Sequence, residues 1–317
     1  MKNVVIIDGT NFFIRFFSAD KSIDKFGNPC GGFTGTINGI KNIIRLFTPD
    51  EIVFVMDGKN NSKRKQKIDE SYKNGRKMGY VELLPQDNKN SFDKQLSKLY
   101  LFIDYLPIKL IITENIEADD AIAYINNLYL NLNDDLKTII VSRDNDFYQL
   151  ITDRTVVYDP YKKITIGQTI FEEEYGLNSK NYHLFKTFAG DVSDNVKRIF
   201  NKKKIFEYFA DILKSEETIT YFELEKYIKE KEIGVDLEQV KNNFDLVSLH
   251  DPNISLEFKR ILSNKIKDNS KKRYGMLNLK IQIQVFGIEG KVYADFFDYI
   301  NLYKLKNNKF VTEVFKQ

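Results

Sequence analysis

The sequence predicts an α/β fold, in which helices flank a parallel sheet and a smaller all-helical domain follows at the C-terminus. Short β-branched runs recur in the first half of the chain, separated by stretches long enough for crossover helices. This alternation is typical of a parallel sheet covered by helices on both faces. After about residue 176 the strand pattern ends and apolar residues recur at helical intervals. A chain of 317 residues has room for about two domains.

The predicted strands are the runs at residues 4–7, 52–56, 109–112, 138–141 and 155–158. The first four end at or shortly before acidic residues. One strand that ends in aspartate is ordinary turn chemistry. However, the carboxyl ends of parallel strands meet at the edge of the sheet where ligands bind. We therefore expect these acidic residues to form one site.

The C-terminal helices are predicted from aromatic and aliphatic residues at helical spacing. These residues are Tyr182, Phe185, Phe188, Ile205, Phe206, Phe209, Ile212 and Leu213. The sequence contains no tandem repeat or low-complexity linker, so we expect the two domains to share an interface. We place a catalytic domain at residues 1–190 and a helical DNA-binding domain at residues 191–317.

The composition excludes several kinds of site. With Cys30 as the single cysteine, neither an internal disulfide nor a thiolate zinc site can form. His183 and His250 lie far apart in the sequence, which argues against a histidine metal site or a Ser-His-Asp triad. Hydrolytic chemistry would therefore depend on carboxylates. No apolar run approaches the roughly 18 residues that cross a bilayer, and the N-terminus does not fit a signal peptide. We expect a cytoplasmic protein without membrane contact.

Carboxylates suit the hydrolysis of phosphodiesters. Two divalent ions about 3.5–4 Å apart can activate water and stabilise the negative charge of the transition state, and oxygen ligands suit Mg²⁺ or Mn²⁺. Glu117, Asp119 and Asp120 stand at the start of a predicted helix, where the helix dipole favours anions. As an alternative, Asp119 or Asp120 is simply a helix cap.

Two further acidic pairs follow along the chain. Asp144 and Asp146 come directly after the fourth strand, at the same predicted edge of the sheet. Asp191 and Asp194 would share one face if their turn is helical. A plain turn or a calcium loop is the alternative, although the glutamate that closes a calcium loop is missing.

A basic segment lies between Asp57 and Leu83. Its cations are opposed by only two acids within residues 59–77. Such a stretch is often a solvated helix face, but its position after an acidic strand end favours a role beside the site. The cations are Lys59, Lys63, Arg64, Lys65, Lys67, Lys73, Arg76 and Lys77, and the acids are Asp69 and Glu70.

Over residues 4–196 the sequence resembles the flap endonuclease and 5′-3′ exonuclease family, of the PIN-like nuclease superfamily. In this family a helical arch carries a Tyr-Lys-x-x-Arg motif, and Tyr72-Lys73-Asn74-Gly75-Arg76 is similar to it. The free-standing chain is most similar to the phage ribonuclease H and 5′ exonuclease branch. The motifs that carry the resemblance are Asp8-Gly9-Thr10-Asn11, Asp57-Gly58-Lys59, Glu117-Ala118-Asp119-Asp120, Asp144-Asn145-Asp146-Phe147-Tyr148-Gln149-Leu150 and Gly190-Asp191-Val192-Ser193-Asp194-Asn195.

The resemblance implies a structure-specific 5′ nuclease that uses two Mg²⁺ ions, replaceable by Mn²⁺, beneath an arch at about residues 59–82. Lys73 and Arg76 would be catalytic residues that contact phosphate, and Lys73 would stabilise transition-state charge. The implied catalytic carboxylates are Asp8, Asp57, Asp119 and Asp144. The implied metal ligands are Asp8, Asp57, Glu117, Asp119 and Asp120 in a first cluster, and Asp144, Asp146, Asp191 and Asp194 in a second.

Nucleic-acid contacts are expected on both sides of the site. Tyr72 could stack on a base or pack within the arch, and Arg64 and Lys65 compete for the position of an arginine that family members carry before the Tyr-Lys pair. Beyond Asp194 the glycine-rich helix-hairpin-helix of the family is absent from the sequence, so binding would depend on exposed charge and on salt concentration. A later run, from Lys265 to Arg273, fits a solvated helix end better than a further contact. The expected nucleic-acid-binding residues are Lys63, Arg64, Lys65, Tyr72, Lys73, Arg76, Lys197, Arg198, Lys202, Lys203 and Lys204.

The implied substrates are DNA with 5′ flaps, nicks or ends, and RNA–DNA hybrids, in replication or repair. A single-strand-binding protein or a sliding clamp is a candidate partner, and we expect a monomer, located in the host cytoplasm if a phage encodes it. Two alternatives stay open: an acidic-site endoribonuclease of related fold, and a non-catalytic protein that binds flaps or nicks. The presence of all nine carboxylates argues against the second.

Overall fold

A computed structural model describes residues 2–73, 86–250, 252, 254–268 and 301. Within these residues, six strands form one sheet in the order β3-β2-β1-β4-β5-β6. The first five pair in parallel, and β6 pairs antiparallel with β5. The strands are β1 (Lys2–Asp8), β2 (Glu51–Asp57), β3 (Ile108–Thr113), β4 (Leu136–Val141), β5 (Thr155–Asp159) and β6 (Ile164–Ile166).

All five predicted strands are confirmed, because each is a β-branched run buried in a parallel sheet. The antiparallel β6 was not predicted. It has only three residues, two of which are exposed, so it lacks the apolar run of a buried strand.

Helices cover both faces of the sheet, as predicted. Side chains alternate between the faces along a strand, so Val5 and Ile7 of β1 pack in one buried cluster while Val4 and Ile6 pack in another. The first cluster includes α1, α2 and α4, and the second includes α5 and the later helices. The helices are α1 (Gly9–Ala19), α2 (Gly31–Phe47), α3 (Lys63–Gln66), α4 (Gln86–Asp104), α5 (Ala118–Leu132), α6 (Gln168–Tyr175), α7 (Tyr182–Ala189), α8 (Lys202–Leu213), α9 (Tyr221–Glu230), α10 (Leu237–Val247) and α11 (Leu256–Lys267).

The helical second half is confirmed for the described residues, and it shares buried core with the sheet. One cluster of buried side chains extends from Val4 of β1 through Phe188 of α7 to Leu262 of α11. This cluster crosses residue 190, so the domain boundary there stays a prediction. At the far end, the Lys109 ammonium group on β3 pairs with Glu51 and donates to the Ile266 carbonyl of α11. In the described part of the chain, no helix is long and apolar enough to cross a membrane.

Candidate active site

The acidic strand ends meet at the carboxyl edge of the sheet. Asp8 ends β1 and its carboxylate accepts hydrogen bonds from the Asn11 N–H, at 3.2 Å, and from Ser142 Oγ, at 2.8 Å. Ser142 Oγ also accepts the Asp144 N–H at 3.0 Å. This serine therefore connects the end of β1 to the acidic turn after β4.

Asp57 connects the end of β2 to α5. Its Oδ1 accepts the Ala118 N–H at 2.9 Å, and its own N–H donates to Thr10 Oγ1 at 2.8 Å. The next residue, Gly58, is required by close packing, since a Cβ atom there would lie 1.8 Å from the Thr113 carbonyl oxygen. The backbone thus brings the strand end against the neighbouring strand.

Glu117 occupies the N-cap position of α5, although its side chain makes no capping hydrogen bond. Asp119 and Asp120 lie in the first helical turn, as the sequence predicts, and neither is the cap. The negative charges therefore sit at the positive end of the helix dipole.

Negative charge accumulates around Asp8, Asp119 and Asp144. Burial, followed by Asp57 and Asp144, raises the pKa of Asp8 to about 7. Burial and then Asp146 raise the pKa of Asp144 to about 6. The pKa of Asp119 is also well above its usual range, because of burial and the nearby Asp144 and Asp8. Buried carboxylates whose pKa values are raised by burial and by neighbouring carboxylates would be stabilised in their charged form by a cation.

Lys186 of α7 holds the second acidic group. Its Nζ lies 2.8 Å from Asp146 and 2.6 Å from Asp191. Although burial raises the pKa of Asp191, the bonds from Lys186 and Ser193 lower it to about 2. The turn from Asp191 to Asp194 is not helical. The two aspartates therefore do not share a helical face, which would have required a helix here. Instead Asp191 forms a β-bridge with Val196, which closes a tight turn.

The described part of the arch, residues 59–73, contacts the acidic edge directly, and we call it the arch base. Lys65 Nζ lies 2.7 Å from Glu117 Oε2, and the Lys73 ammonium group pairs with the other oxygen of Glu117. Lys73 Nζ is also 3.6 Å from Asp194 Oδ2. Burial raises the pKa of Glu117, but the two lysines lower it to about 2.

Tyr72 is packed within the arch base rather than presented for stacking. It is 2% exposed and packs with Val196 and Leu246. Its hydroxyl lies 3.1 Å from Glu117 Oε2 and 3.2 Å from Asp194 Oδ2, close enough to donate to either. Arg76 and the rest of the predicted arch, to residue 82, lie outside the described residues.

Arg64 and Lys63 take different positions on α3. Arg64 Nη2 lies 2.7 Å from Asp120 Oδ2, so its charge is directed inward. Lys63 is exposed. Both line a cleft of about 710 Å³ between the arch base and α11, together with Lys67, Glu114, Asn115, Ile116, Ser255, Glu257, Phe258 and Ile261.

The predicted basic surface after Asp194 is exposed. Lys197 and Arg198 precede α8, and three lysines occupy its beginning. Cations are unfavourable at the positive end of a helix dipole, and this first turn contains no acid to compensate. Their position therefore does not stabilise the helix. The exposed lysines of α8 are Lys202, Lys203 and Lys204.

The carboxylate oxygens suit Mg²⁺ or Mn²⁺ in their chemistry. The raised pKa values of Asp8, Asp119 and Asp144 also indicate a site with too little positive charge. In the present arrangement, lysines lie among the carboxylates, and the described residues contain no group of three acidic, histidine or cysteine side chains ready to hold a metal. The individual ligand assignments stay predictions.

Two site residues were missed by reasoning from the sequence. Ser142 stands two residues before Asp144 in the chain, but serine before an acidic turn is too common to indicate a role. Lys186 lies five residues before Asp191, within a helix that contains no other lysine or arginine and no acid. A lone cation on such a helix was the available signal.

The two histidines, although far apart in the sequence, lie next to each other in the helical half. Their rings lie 4.7 Å apart in an edge-to-face arrangement. Burial lowers the pKa of His183 to about 3 and that of His250 to about 4. Both are therefore neutral core residues at ordinary pH.

Comparison with known proteins gives consistent matches. A family model described as "5′-3′ exonuclease, N-terminal resolvase-like domain" matches residues 3–176. A 5′-3′ exonuclease of Buchnera aphidicola subsp. Acyrthosiphon pisum (strain APS) is 26% identical over 195 residues, which cover 61% of this chain and 64% of that protein. The match thus spans somewhat less than two thirds of this relative.

Two further comparisons extend the likeness. DNA polymerase I of Caldicellulosiruptor bescii is 27% identical over 247 residues, which cover 76% of this chain and 26% of the polymerase. The crystal structure of a bacteriophage T5 flap endonuclease, in complex with DNA and metal ions, superposes with a TM-score of 0.62 at 16% identity. It covers 96% of this chain and 100% of the phage protein, which shows a common fold.

Proposed function

This chain belongs to the 5′-3′ exonuclease family through its N-terminal resolvase-like domain, and we propose that it is a metal-dependent 5′ nuclease acting on DNA with 5′ flaps, nicks or ends. One observation carries the proposal. Carboxylates from separate parts of the acidic edge lie close enough to raise the pKa values of Asp8 and Asp119. Two lysines of the arch base pair with Glu117, which belongs to the same edge.

The acidic edge would hold two Mg²⁺ ions, with Mn²⁺ as a substitute. When bound, these ions would supply an activated water and neutralise charge on the attacking and leaving oxygens. The proposed ligands are Asp8, Asp57, Glu117 and Asp119 for one ion, and Asp144, Asp146, Asp191 and Asp194 for the other. Asp120, the remaining acid of the first cluster, is considered below.

The chain's own residues position these carboxylates. Ser142 fixes Asp8 relative to Asp144, and the Ala118 N–H fixes Asp57. Lys186 holds Asp146 and Asp191 together by pairing with both carboxylates. Such preorganisation is what an electrostatic mechanism requires, because no reorganisation is needed as charge develops.

Lys73 is the cation best placed to act on the reacting phosphate. Its ammonium group already contacts Glu117 and Asp194, which belong to the two proposed ion sites. A phosphate bound between those sites would compete for the same group. We therefore assign Lys73 to the stabilisation of transition-state charge.

Substrate binding would use basic surfaces on two sides of the acidic edge. The arch base supplies Lys63 and Lys67 on one side, and the beginning of α8 supplies three exposed lysines on the other. Phosphate contacts of this kind position a nucleic acid without reading its sequence. An RNA–DNA hybrid presents the same charges, so we propose it as a second substrate.

The proposal is tested by asking whether the protein cleaves DNA from the 5′ side or from the 3′ side. Labelled duplexes with a 5′ flap, with a 3′ flap and without a flap, and a labelled single-stranded RNA, are incubated with and without Mg²⁺. We expect short 5′ products from the 5′ flap and from the 5′ ends, no cleavage of the 3′ flap, and no products without the metal. Binding without cleavage would instead support a flap-binding protein, and metal-dependent cleavage of single-stranded RNA alone would support an endoribonuclease.

A further inference from the structure

Arg64 and Lys65, the two residues that compete for the arginine position of the arch, both point into the protein. Arg64 Nη2 lies 2.7 Å from Asp120 Oδ2, and the Arg64 side chain is 20% exposed. Lys65 Nζ lies 2.7 Å from Glu117 Oε2 and 3.8 Å from Asp120 Oδ1. Neither cation is therefore presented to a nucleic acid in this conformation.

Asp119 and Asp120 are neighbours in sequence but point into different surroundings. Successive residues of an α-helix are rotated by about 100°. Asp119 is partly exposed and interacts most strongly with Asp144 and Asp8, at the acidic edge. The Asp120 side chain is 1% exposed and has Arg64 and Lys65 as its ion-pair partners. Its Oδ1 receives no hydrogen bond but faces the Lys65 ammonium group.

We propose that Asp120 is a positioning residue, which anchors the arch base through Arg64 and Lys65, and is not a metal ligand. This assignment rests on the proposed function, since it concerns the division of labour within the same acidic edge. The first metal cluster then has four carboxylates instead of five, and Asp120 is the shared ion-pair partner of Arg64 and Lys65.

The anchor is strong because the Asp120 and Lys65 side chains are only 1% and 5% exposed, and Arg64 is 20% exposed. Separating a buried ion pair leaves an uncompensated charge, which is strongly unfavourable. Lys65 is 4% exposed, and nearby carboxylates, Asp120 before Glu117, raise its pKa despite the opposing effect of burial. It is therefore held in the charged form, and its removal from Asp120 would be costly.

The anchor acts on Lys73 through the short segment that joins them. The Ile68 and Asp69 N–H groups donate to the Lys65 carbonyl oxygen, at 3.0 and 3.1 Å. Further along, the Lys73 N–H donates to the Asp194 carbonyl oxygen at 3.1 Å. Asp120 thus fixes one end of a segment whose other end places Lys73 beside the acidic edge.

Metal affinity gives the first test, with two double variants of equal charge. Arg64→Gln with Asp120→Asn removes the anchor pair, whereas Arg64→Gln with Asp119→Asn removes the neighbouring carboxylate. Calorimetric titration with Mn²⁺ should show a clearly larger loss of affinity for the second than for the first, of more than about tenfold for the second, because only Asp119 is a ligand. Equal losses in the two variants would overturn the proposal.

Hydrogen exchange gives the second test, in the metal-free protein. Asp120→Asn should accelerate exchange of the amides from Gln66 to Lys73 by about tenfold or more, because an ion-pair partner is lost. Asp119→Asn should leave it nearly unchanged. Lys65→Met should accelerate exchange as Asp120→Asn does, and Lys65→Arg, which keeps the positive charge, should leave exchange close to that of the wild type. Unchanged exchange in Asp120→Asn would overturn the anchor even if Lys65→Met fails to fold.

The two proposals fail differently. If Mn²⁺ does not bind the wild type, the acidic edge is not a metal site, and the proposed function is wrong. The exchange measurement still decides the anchor, because it contains no metal and no substrate.

Discussion

At the scale of single residues, the acidic edge is a place where lysines and carboxylates neutralise one another. Glu117 illustrates this, since both of its oxygens have a lysine partner and its pKa falls to about 2. Within the described part of the chain, Asp8 and Asp144 form no ion pair with a lysine or arginine. Their pKa values are raised instead. The site thus combines paired and underpaired carboxylates within one group.

Lys73→Ala should reduce turnover far more than substrate binding. The lysine touches Glu117 and Asp194 at the proposed centre of the reaction, where a cation stabilises charge that develops only in the transition state. We expect a fall in kcat of about 10²–10³-fold, as for the loss of one preorganised donor. Single-turnover rates and equilibrium binding of a 5′-flap duplex measure the two effects. An equal loss of both would show that Lys73 only tethers the substrate.

The metal-free protein should lose stability as pH rises. Asp8 and Asp144 have pKa values raised from 3.8 to about 7 and about 6, so the folded state binds more protons than the unfolded state across that window. Their contribution is complete below about pH 4 and is lost as pH passes 6 and then 7. Between pH 5 and pH 8 we expect Tm to fall by about 2–8 °C through these groups.

Differential scanning calorimetry in the presence of a chelator measures this fall. Asp144→Asn should make it smaller, since one of the repelling carboxylates is gone, and Mg²⁺ should raise Tm most at the higher pH. A pH response identical in the wild type and Asp144→Asn would contradict the assignment of the repulsion to these residues.

At the scale of single residues, the sequence predicted which acidic residues lie at the acidic edge. It did not predict the side chains that pair with them. Asp8, Asp57 and Asp144 were found because each follows a strand directly. Lys186 and Ser142 were not, since their roles depend on contacts that the fold creates. Tyr72 was left open between stacking and packing, and only its burial distinguishes the two.

At the scale of elements, strands and helices were predicted where burial imposes a clear pattern. The parallel strands are apolar on both faces, and α5 begins after Glu117 as its acidic first turn suggests. The turn at residues 191–196 was less predictable. Gly190 adopts a φ of 68° and a bridge from Asp191 to Val196 closes the turn, neither of which a spacing of three residues reveals.

The beginning of α8 should contribute to salt-dependent binding of DNA. Three exposed lysines stand there against the helix dipole, and each phosphate contact adds about 0.9 to the slope of log K against log salt. The combined change of Lys202→Gln, Lys203→Gln and Lys204→Gln should reduce this slope by about 2–3. Fluorescence anisotropy of a duplex at several salt concentrations measures it.

Two lysines of α9 provide the matched control. Lys226 and Lys229 are 65% and 61% exposed and have glutamate partners on their own helix. Lys226→Gln with Lys229→Gln should leave the slope unchanged. If both sets of changes lower it equally, the effect is one of overall charge and α8 is not a specific contact.

At the scale of the whole molecule, the sheet and the later helices share one buried cluster. That continuity, from β1 to α11, agrees with the prediction of a shared interface and explains why no linker separates the two halves. The sequence could not predict how α11 returns to the sheet. That contact depends on Lys109, whose pairing with Glu51 and Ile266 joins three distant parts of the chain.

The architecture therefore supports a single active site, at the acidic edge, with basic surfaces on two sides. The acidic edge is formed by strand ends, the arch base approaches it from one side, and the beginning of α8 extends from the turn after Asp194. A nuclease requires acid at its metal ions and cations around them. Net charge alone, at +3, conceals this separation.

The decisive measurement is the rate of 5′-flap cleavage across a Mg²⁺ titration, for the wild type and Asp144→Asn at saturating protein. Lys226→Gln, on the remote α9, serves as the control variant. We predict cleavage that requires the metal, survives in Lys226→Gln and falls by more than about 10³-fold in Asp144→Asn. Cleavage that persists at a normal rate in Asp144→Asn, or that needs no metal, would contradict the assignment of hydrolysis to the acidic edge.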